Sequence, residues 1–153
     1  MLRPTRIACL AFIALPLAVA GCGGGGDGSD EQFVTDLCNA TTRLKADFAD
    51  AVKEASGQTD STRAVDSLIP PLEAFVKAFE DAKPPKDLKD WHSAASDQLD
   101  AAVQKFRTEK TLASLEGFGD SPVPDPPADA KARLREVAQN VDACDGVAFL
   151  KPD

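Results

Sequence analysis

The chain has 153 residues and a mass of 16.1 kDa, which is the size of a single domain. Its 25 acidic residues exceed its 17 basic ones, and the formal net charge of -8 argues against a surface that binds nucleic-acid phosphates. One histidine is too few for a multi-histidine metal site. We therefore expect no nucleic-acid partner, and the composition indicates no cofactor.

The N-terminus has the pattern of a targeting segment. Arg3 and Arg6 precede an apolar run over residues 7–20 that only Pro16 interrupts. As a helix these 14 residues would extend about 21 Å, whereas the hydrocarbon core of a bilayer is about 30 Å thick. The run therefore predicts a processed segment and not a permanent membrane span.

The segment ends in Val19-Ala20-Gly21-Cys22, which resembles the lipobox of bacterial lipoprotein precursors. The resemblance implies that residues 1–21 are a lipoprotein signal peptide. It also implies that Cys22 becomes the first mature residue and carries a diacylglycerol thioether. The protein would then lie on the extracytoplasmic side of a cell membrane or envelope, held there by its lipid. The alternative is an ordinary secretory signal in which Cys22 is incidental.

Residues 22–29 are expected to form a flexible tether, because residues 23–26 are all glycine. Residues 21–26 also satisfy G-x-G-x-x-G, but no strand precedes them, so we interpret them as a linker and not as a dinucleotide site. Without Arg3 and Arg6 the mature chain has 15 basic and 25 acidic residues, a net charge of -10. The lipid, and not a basic patch, must then supply the membrane affinity.

From Asp30 onward the apolar residues recur at helical spacing. Ser29 and Gln32 predict a capping box at the start of the first helix, and Gly57 predicts its end. The apolar stripe of this helix is Phe33, Leu37, Leu44, Phe48 and Val52. A second stripe, which continues in phase across Pro70 and Pro71, is Val65, Leu68, Leu72, Phe75, Phe79 and Ala82. It predicts a short helix followed by a longer one with Pro71 near its first turn, or one kinked element.

Pro84 and Pro85 separate this element from a third helix, which we expect to continue through Leu112 and Leu115 to Gly117. Its apolar face is Leu88, Trp91, Ala95, Leu99, Ala102 or Val103, and Phe106. A proline-rich loop over residues 117–127 follows. Asp125 is expected to cap a fourth helix that opens at Pro126 and stops at Gly146. The apolar stripe of the fourth helix is Leu134, Val137, Val141 and Cys144, and residues 147–150 are expected to fold back over one end of the core.

These elements predict an all-α fold, a four-helix up-down-up-down bundle over residues 30–153. In that arrangement Cys38, two turns into the first helix, and Cys144, at the end of an antiparallel fourth helix, lie at the same end of the molecule. With Cys9 removed and Cys22 lipidated they are the remaining cysteines, and we predict a structural disulfide between them. Two free thiols and a redox pair are the alternatives, although the spacing is not C-x-x-C.

Trp91 and His92 on the third helix are the candidate ligand-binding residues. A carboxylate-bridged metal site would need Glu-x-x-His, but residue 89 is Lys. A lone His in a bundle could still ligate haem, although such a residue is more often part of the structure.

No pattern of a hydrolase, metalloprotease or nucleotide-binding loop occurs, so no enzyme activity is expected. The leading hypothesis is an interaction module, in which a helix groove or the proline-rich loop contacts an envelope protein. The alternative is a bundle that binds an apolar ligand or haem beside Trp91 and His92.

Overall fold

The computed structural model describes residues 27–115 and 125–145, and within them every regular element is helical. The α-helices are α1 (Asp30–Ser56), α2 (Ser61–Asp66), α3 (Ile69–Asp81), α4 (Lys89–Glu109) and α5 (Ala128–Ala138). Short 3₁₀ turns occupy Lys86–Leu88, Leu112–Leu115 and Asp142–Cys144. The prediction of an all-α fold is confirmed for the part of the chain that the structure describes.

Both ends of α1 are where the sequence predicts them. Ser29 caps the first turn, because its Oγ accepts the N–H of Gln32 at 3.1 Å. The Gln32 side chain donates to Asp36 at 2.8 Å instead of returning to residue 29, so half of the predicted capping box forms. At the other end the N–H of Gly57 donates to the carbonyl of Glu54 at 3.2 Å.

The proline pair begins a helix instead of kinking one. Asp60 caps the short helix α2 by accepting the N–H of Thr62 at 2.9 Å. Pro70 and Pro71 are the second and third residues of α3, in its first turn, where a backbone N–H has no partner within the helix and its loss costs little. The predicted short helix followed by a longer one is therefore the arrangement that forms.

The third helix of the sequence prediction corresponds to α4. It ends at Glu109, before the predicted end at Gly117. Lys110 adopts a left-handed conformation, with φ of 50°, and its N–H donates to the carbonyl of Phe106 at 2.9 Å. Immediately after it, Thr111 and Ser114 hydrogen-bond to each other's backbone and side chains. Such local bonds offer the chain an alternative to the helix, so Leu115 lies in a 3₁₀ turn.

The fourth helix of the sequence prediction corresponds to α5, which is shorter than predicted at both ends. It begins at Ala128, after Pro127, and Asp125 pairs with Lys131 at 2.8 Å instead of capping the helix. It ends at Ala138, so Val141 lies outside it and Cys144 lies in the following 3₁₀ turn. The expectations for Gly117, Gly146, residues 147–150 and most of the proline-rich loop fall outside the described residues.

A single apolar core joins the helices. α1 packs against α3, α5 and the Asp142–Cys144 turn, while α3 packs against α4. The largest fully buried side chains are Phe33, Phe106, Leu37, Leu88, Leu99, Leu134, Val34 and Val103. Val52 is an exception in the predicted stripe of α1, because 42% of it is exposed.

The last residues of the predicted tether, 27–29, are bonded to the domain; we call them the N-terminal arm. The N–H of Gly28 donates to the carbonyl of Pro84 at 3.1 Å, and Asp27 pairs with Lys89. Gly28 lies so close to the α3–α4 connection that a Cβ added to it would be 1.8 Å from the carbonyl oxygen of Lys83. Only glycine fits this approach. From Asp27 onward the predicted tether is therefore part of the folded domain.

Gly28→Ala is expected to release the arm while leaving the helices folded. The added methyl group would displace the backbone and break one net hydrogen bond, so exchange of the residue-28 amide should accelerate by about two- to tenfold. Hydrogen exchange followed by mass spectrometry measures this directly. Gly57→Ala is the matched control, since its added Cβ would be 3.5 Å from the nearest atom. Equal exchange in both variants and the wild type would contradict the packing of Gly28.

Candidate functional site

His92 of the predicted ligand site is a packed core residue. It is 8% exposed, and its Nε2 lies 2.7 Å from the carbonyl oxygen of Phe79 at the end of α3. Because a carbonyl only accepts, Nε2 carries the proton and donates this bond. The imidazole also stacks on the ring of Phe79, with centroids 4.8 Å apart, and meets the edge of Phe33 at 5.6 Å.

Trp91 is half-buried in the same aromatic cluster. Its ring lies edge-on to those of Phe33 and Phe79, with centroids 6.4 and 6.2 Å away. These contacts join α1, α3 and α4, and edge-to-face pairs of this kind add stability beyond the area they bury. The space beside Trp91 and His92 is thus occupied by phenylalanine rings, which haem or an apolar ligand would have to displace.

The two predicted disulfide cysteines are bonded to each other. The Sγ atoms of Cys38 and Cys144 are 2.03 Å apart and their Cα atoms 4.9 Å apart. Both residues are buried, and the hydroxyl of Thr42 donates to the carbonyl of Ala143 beside them at 3.2 Å. The disulfide and this hydrogen bond therefore fasten the Asp142–Cys144 turn to the third and fourth turns of α1. Cys22, the predicted lipidation site, lies outside the described residues.

An open cleft of about 370 Å³ lies between α1 and α3. The apolar part of the cleft is lined by alanines, whose small side chains leave the space between the helices open: Ala40, Ala78 and Ala82. Its polar walls are Asp36, Asn39, Arg43 and Asp81. Neither Trp91 nor His92 lines it. The sequence analysis did not predict this cleft, although Ala78 and Ala82 at i and i+4 were a signal for it.

A charged cluster around Arg133 was also not predicted. The guanidinium donates to Asp30 of α1 at 2.7 Å and to Asp87, in the turn before α4, at 2.8 Å. The hydrogen bond from Arg133 to Asp87 holds the pKa of Asp87 below its usual value. The hydrogen bonds to Asp87 and Asp30 raise the pKa of Arg133. One side chain of α5 thereby connects the beginnings of α1 and α4.

Arg133→Gln is expected to raise the pKa of Asp87 toward its ordinary value of 3.8. Since the folded-state pKa is lowered, the ionised carboxylate stabilises the fold above that ordinary value, and the contribution disappears as the pH falls through the lowered one. NMR titration of the side-chain carboxyl measures the change. Arg43→Gln, which removes an exposed pair with Asp47, is the control. An Asp87 titration that is identical in wild type and Arg133→Gln would contradict the assignment.

Known proteins give no further guide to the site. No family model, curated protein or solved structure matches this chain.

Within residues 27–115 and 125–145, no group of three or more His, Cys, Asp or Glu side chains is placed to hold a metal ion. In the same residues, no helix is both long and apolar enough to cross a bilayer. The candidate binding site of the described residues is the cleft between α1 and α3.

Proposed function

We propose that this protein is a lipid-anchored extracytoplasmic module that binds another protein of the cell envelope. Residues 1–21 are the signal peptide, Cys22 carries the lipid, and the helical domain is displayed outside the membrane. The sequence pattern at residues 19–22 supports the anchor. The disulfide supports an extracytoplasmic location, because such bonds persist in oxidising compartments.

The proposed chain path is up-down for α1, α3 and α4. Ser67, between α2 and α3, donates to Ala51 of α1 at 3.5 Å, while Ala82, after α3, lies across the cleft from Ala40. These pairs support opposite directions for α1 and α3. The last part of the described chain does not support an antiparallel fourth helix. From α5 to the Asp142–Cys144 turn its contacts advance along α1, from Asp30 at Arg133 to Cys38 at Cys144.

The observation that carries the binding proposal is the α1–α3 cleft. Ala40 and Ala82 are buried and form its floor, and the half-buried Ala78 is the alanine that an apolar side chain of a partner segment would cover. Its walls present carboxylates of Asp36 and Asp81 together with the guanidinium of Arg43. Charges of both signs at the edge of a small apolar floor favour a specific orientation of a polar peptide segment.

Site-directed photocrosslinking in intact cells tests this proposal. A photoreactive phenylalanine at Asn39, an exposed wall of the cleft, should give a discrete crosslinked product. The matched control is the same residue at Gln98, which is exposed on α4 and does not line the cleft. Introducing Ala78→Trp, at a half-buried position that lines the same cleft, should fill the cleft and abolish the product. Products that are equally abundant from both positions, or absent from both, would refute the cleft as the binding surface.

A further inference from the structure

The N-terminal arm fixes the point at which the chain leaves the domain. Asp27 pairs with Lys89 at the start of α4, and Gly28 is bonded to Pro84 in the connection between α3 and α4. The chain toward Cys22 therefore departs beside this connection, and not from a free helix end. We call residues 27–30 and 83–90 the tether-proximal end.

The remaining tether is short compared with the domain. From Cys22 to Asp27 the chain can extend at most about 18 Å, and a glycine-rich coil of that length averages about 12 Å. Helix α1, with 27 residues, extends about 40 Å. A lipid on Cys22 would therefore hold the tether-proximal end close to the bilayer surface, whereas the end formed by Ser56 and α2 could come close only if the domain lay on its side.

The distribution of charge disfavours the side-lying arrangement. The residues that define the tether-proximal end carry four acidic and three basic side chains, a net charge of -1: Asp27, Asp30, Asp87 and Asp90 against Lys83, Lys86 and Lys89. Arg133 of α5 also donates to two of these carboxylates, those of Asp30 and Asp87. The whole mature chain has a net charge of -10, so most of the negative charge lies outside these residues. Anionic headgroups repel a weakly charged end less than the rest of the chain.

We propose that the tether-proximal end faces the headgroups of the bilayer and that α1 leads away from the membrane. This inference rests on the proposed lipid anchor at Cys22. It adds to that anchor a defined orientation, which the contacts of Asp27 and Gly28 determine. The far end of the domain, with α2 and the exposed Val52, is then held away from the membrane.

The single tryptophan makes this orientation measurable without an external label on the protein. Trp91 lies in the first turn of α4, against Phe33 near the start of α1. The lipidated full-length protein would be reconstituted in phosphatidylcholine–phosphatidylglycerol vesicles that contain a dansyl-labelled headgroup. Energy transfer from Trp91 to dansyl then reports how close the tether-proximal end is to the bilayer.

The comparison variant places the tryptophan at the far end, as Trp91→Phe with Val52→Trp. Position 52 lies 19 residues beyond Phe33 on the same helix, so the donor moves by about 29 Å. We expect transfer from Trp91 to be several-fold more efficient than transfer from the new tryptophan. A second variant keeps every residue of the domain and inserts Gly-Ser repeats between Gly26 and Asp27, which should lower transfer from Trp91.

Vesicle flotation separates the two proposals. If protein expressed as its full precursor in a bacterium that processes lipoproteins does not float with the vesicles, the anchor itself is refuted and the orientation with it. If it floats but the two tryptophan positions give equal or inverted transfer, only the orientation is refuted. Transfer from Trp91 that does not change when the tether is lengthened would also refute the orientation, and this variant does not depend on repacking around residue 91.

Discussion

Replacing Cys38 and Cys144 together by alanine is expected to lower the free energy of unfolding by roughly 3–5 kcal/mol. The bond joins residues 106 apart in sequence, so its loss gives the unfolded chain a large amount of conformational freedom. Domains of this size are commonly stable by only about 5–15 kcal/mol. Urea unfolding of the mature domain, followed by circular dichroism, should therefore show a much lower midpoint.

Chemical reduction of the wild type is the control for this double substitution. A reductant should lower the unfolding midpoint of the wild type to a similar extent and leave that of the double variant unchanged. A loss of less than about 1 kcal/mol would mean that the unfolded chain gains little from opening the loop, and it would contradict the stabilising role assigned to the disulfide.

Phe33→Ala is expected to destabilise the domain by about 3–5 kcal/mol. The ring is fully buried and contacts both Trp91 of α4 and the imidazole of His92. Its removal leaves a cavity where α1 meets α4, and the surrounding rings can fill it only in part. The emission of the single tryptophan should shift to longer wavelength in the folded variant, since water then reaches Trp91.

Val52→Ala on the same helix is the control, because 42% of Val52 is exposed in the folded state. A surface truncation of this kind should change the free energy of unfolding by less than about 0.5 kcal/mol. Similar losses from Phe33→Ala and Val52→Ala would show that the aromatic cluster is not a centre of stability.

Local sequence signals predicted the helix ends where one residue decides the outcome. Ser29 and Gly57 delimit α1, because a capping residue acts within one helical turn. The prolines at 70 and 71 lie in the first turn of α3, where a missing N–H group is tolerated. Apolar spacing misplaced the ends of α4 and α5. Leu115 and Val141 continue the apolar stripes of these helices in phase. However, α4 ends before the hydrogen bonds between Thr111 and Ser114, and α5 ends at Ala138. Spacing does not distinguish a helix from turns that stay in register.

The candidate site depended on contacts between distant residues, which explains why less of it was predicted. The disulfide pair could be predicted because cysteines are few and the predicted extracytoplasmic location favours oxidation. The cleft requires the spacing of α1 and α3, and the Arg133 cluster requires three separate segments to meet. The residue types of Trp91 and His92 suggested a ligand site. In the structure Trp91 packs against Phe33 and His92 stacks on Phe79.

The disulfide also determines what proteolysis can release. A single cut of the backbone between Cys38 and Cys144 leaves two fragments that are still covalently joined, so nicking there does not shed any part of the chain. A cut before Cys38 separates the N-terminal residues from the rest. If Cys22 carries the proposed lipid, a cut before α1 would detach the domain from the membrane, because the helix protects the backbone from Asp30 onward. Because Asp27 and Gly28 are bonded to the domain, the protected backbone extends to residue 27.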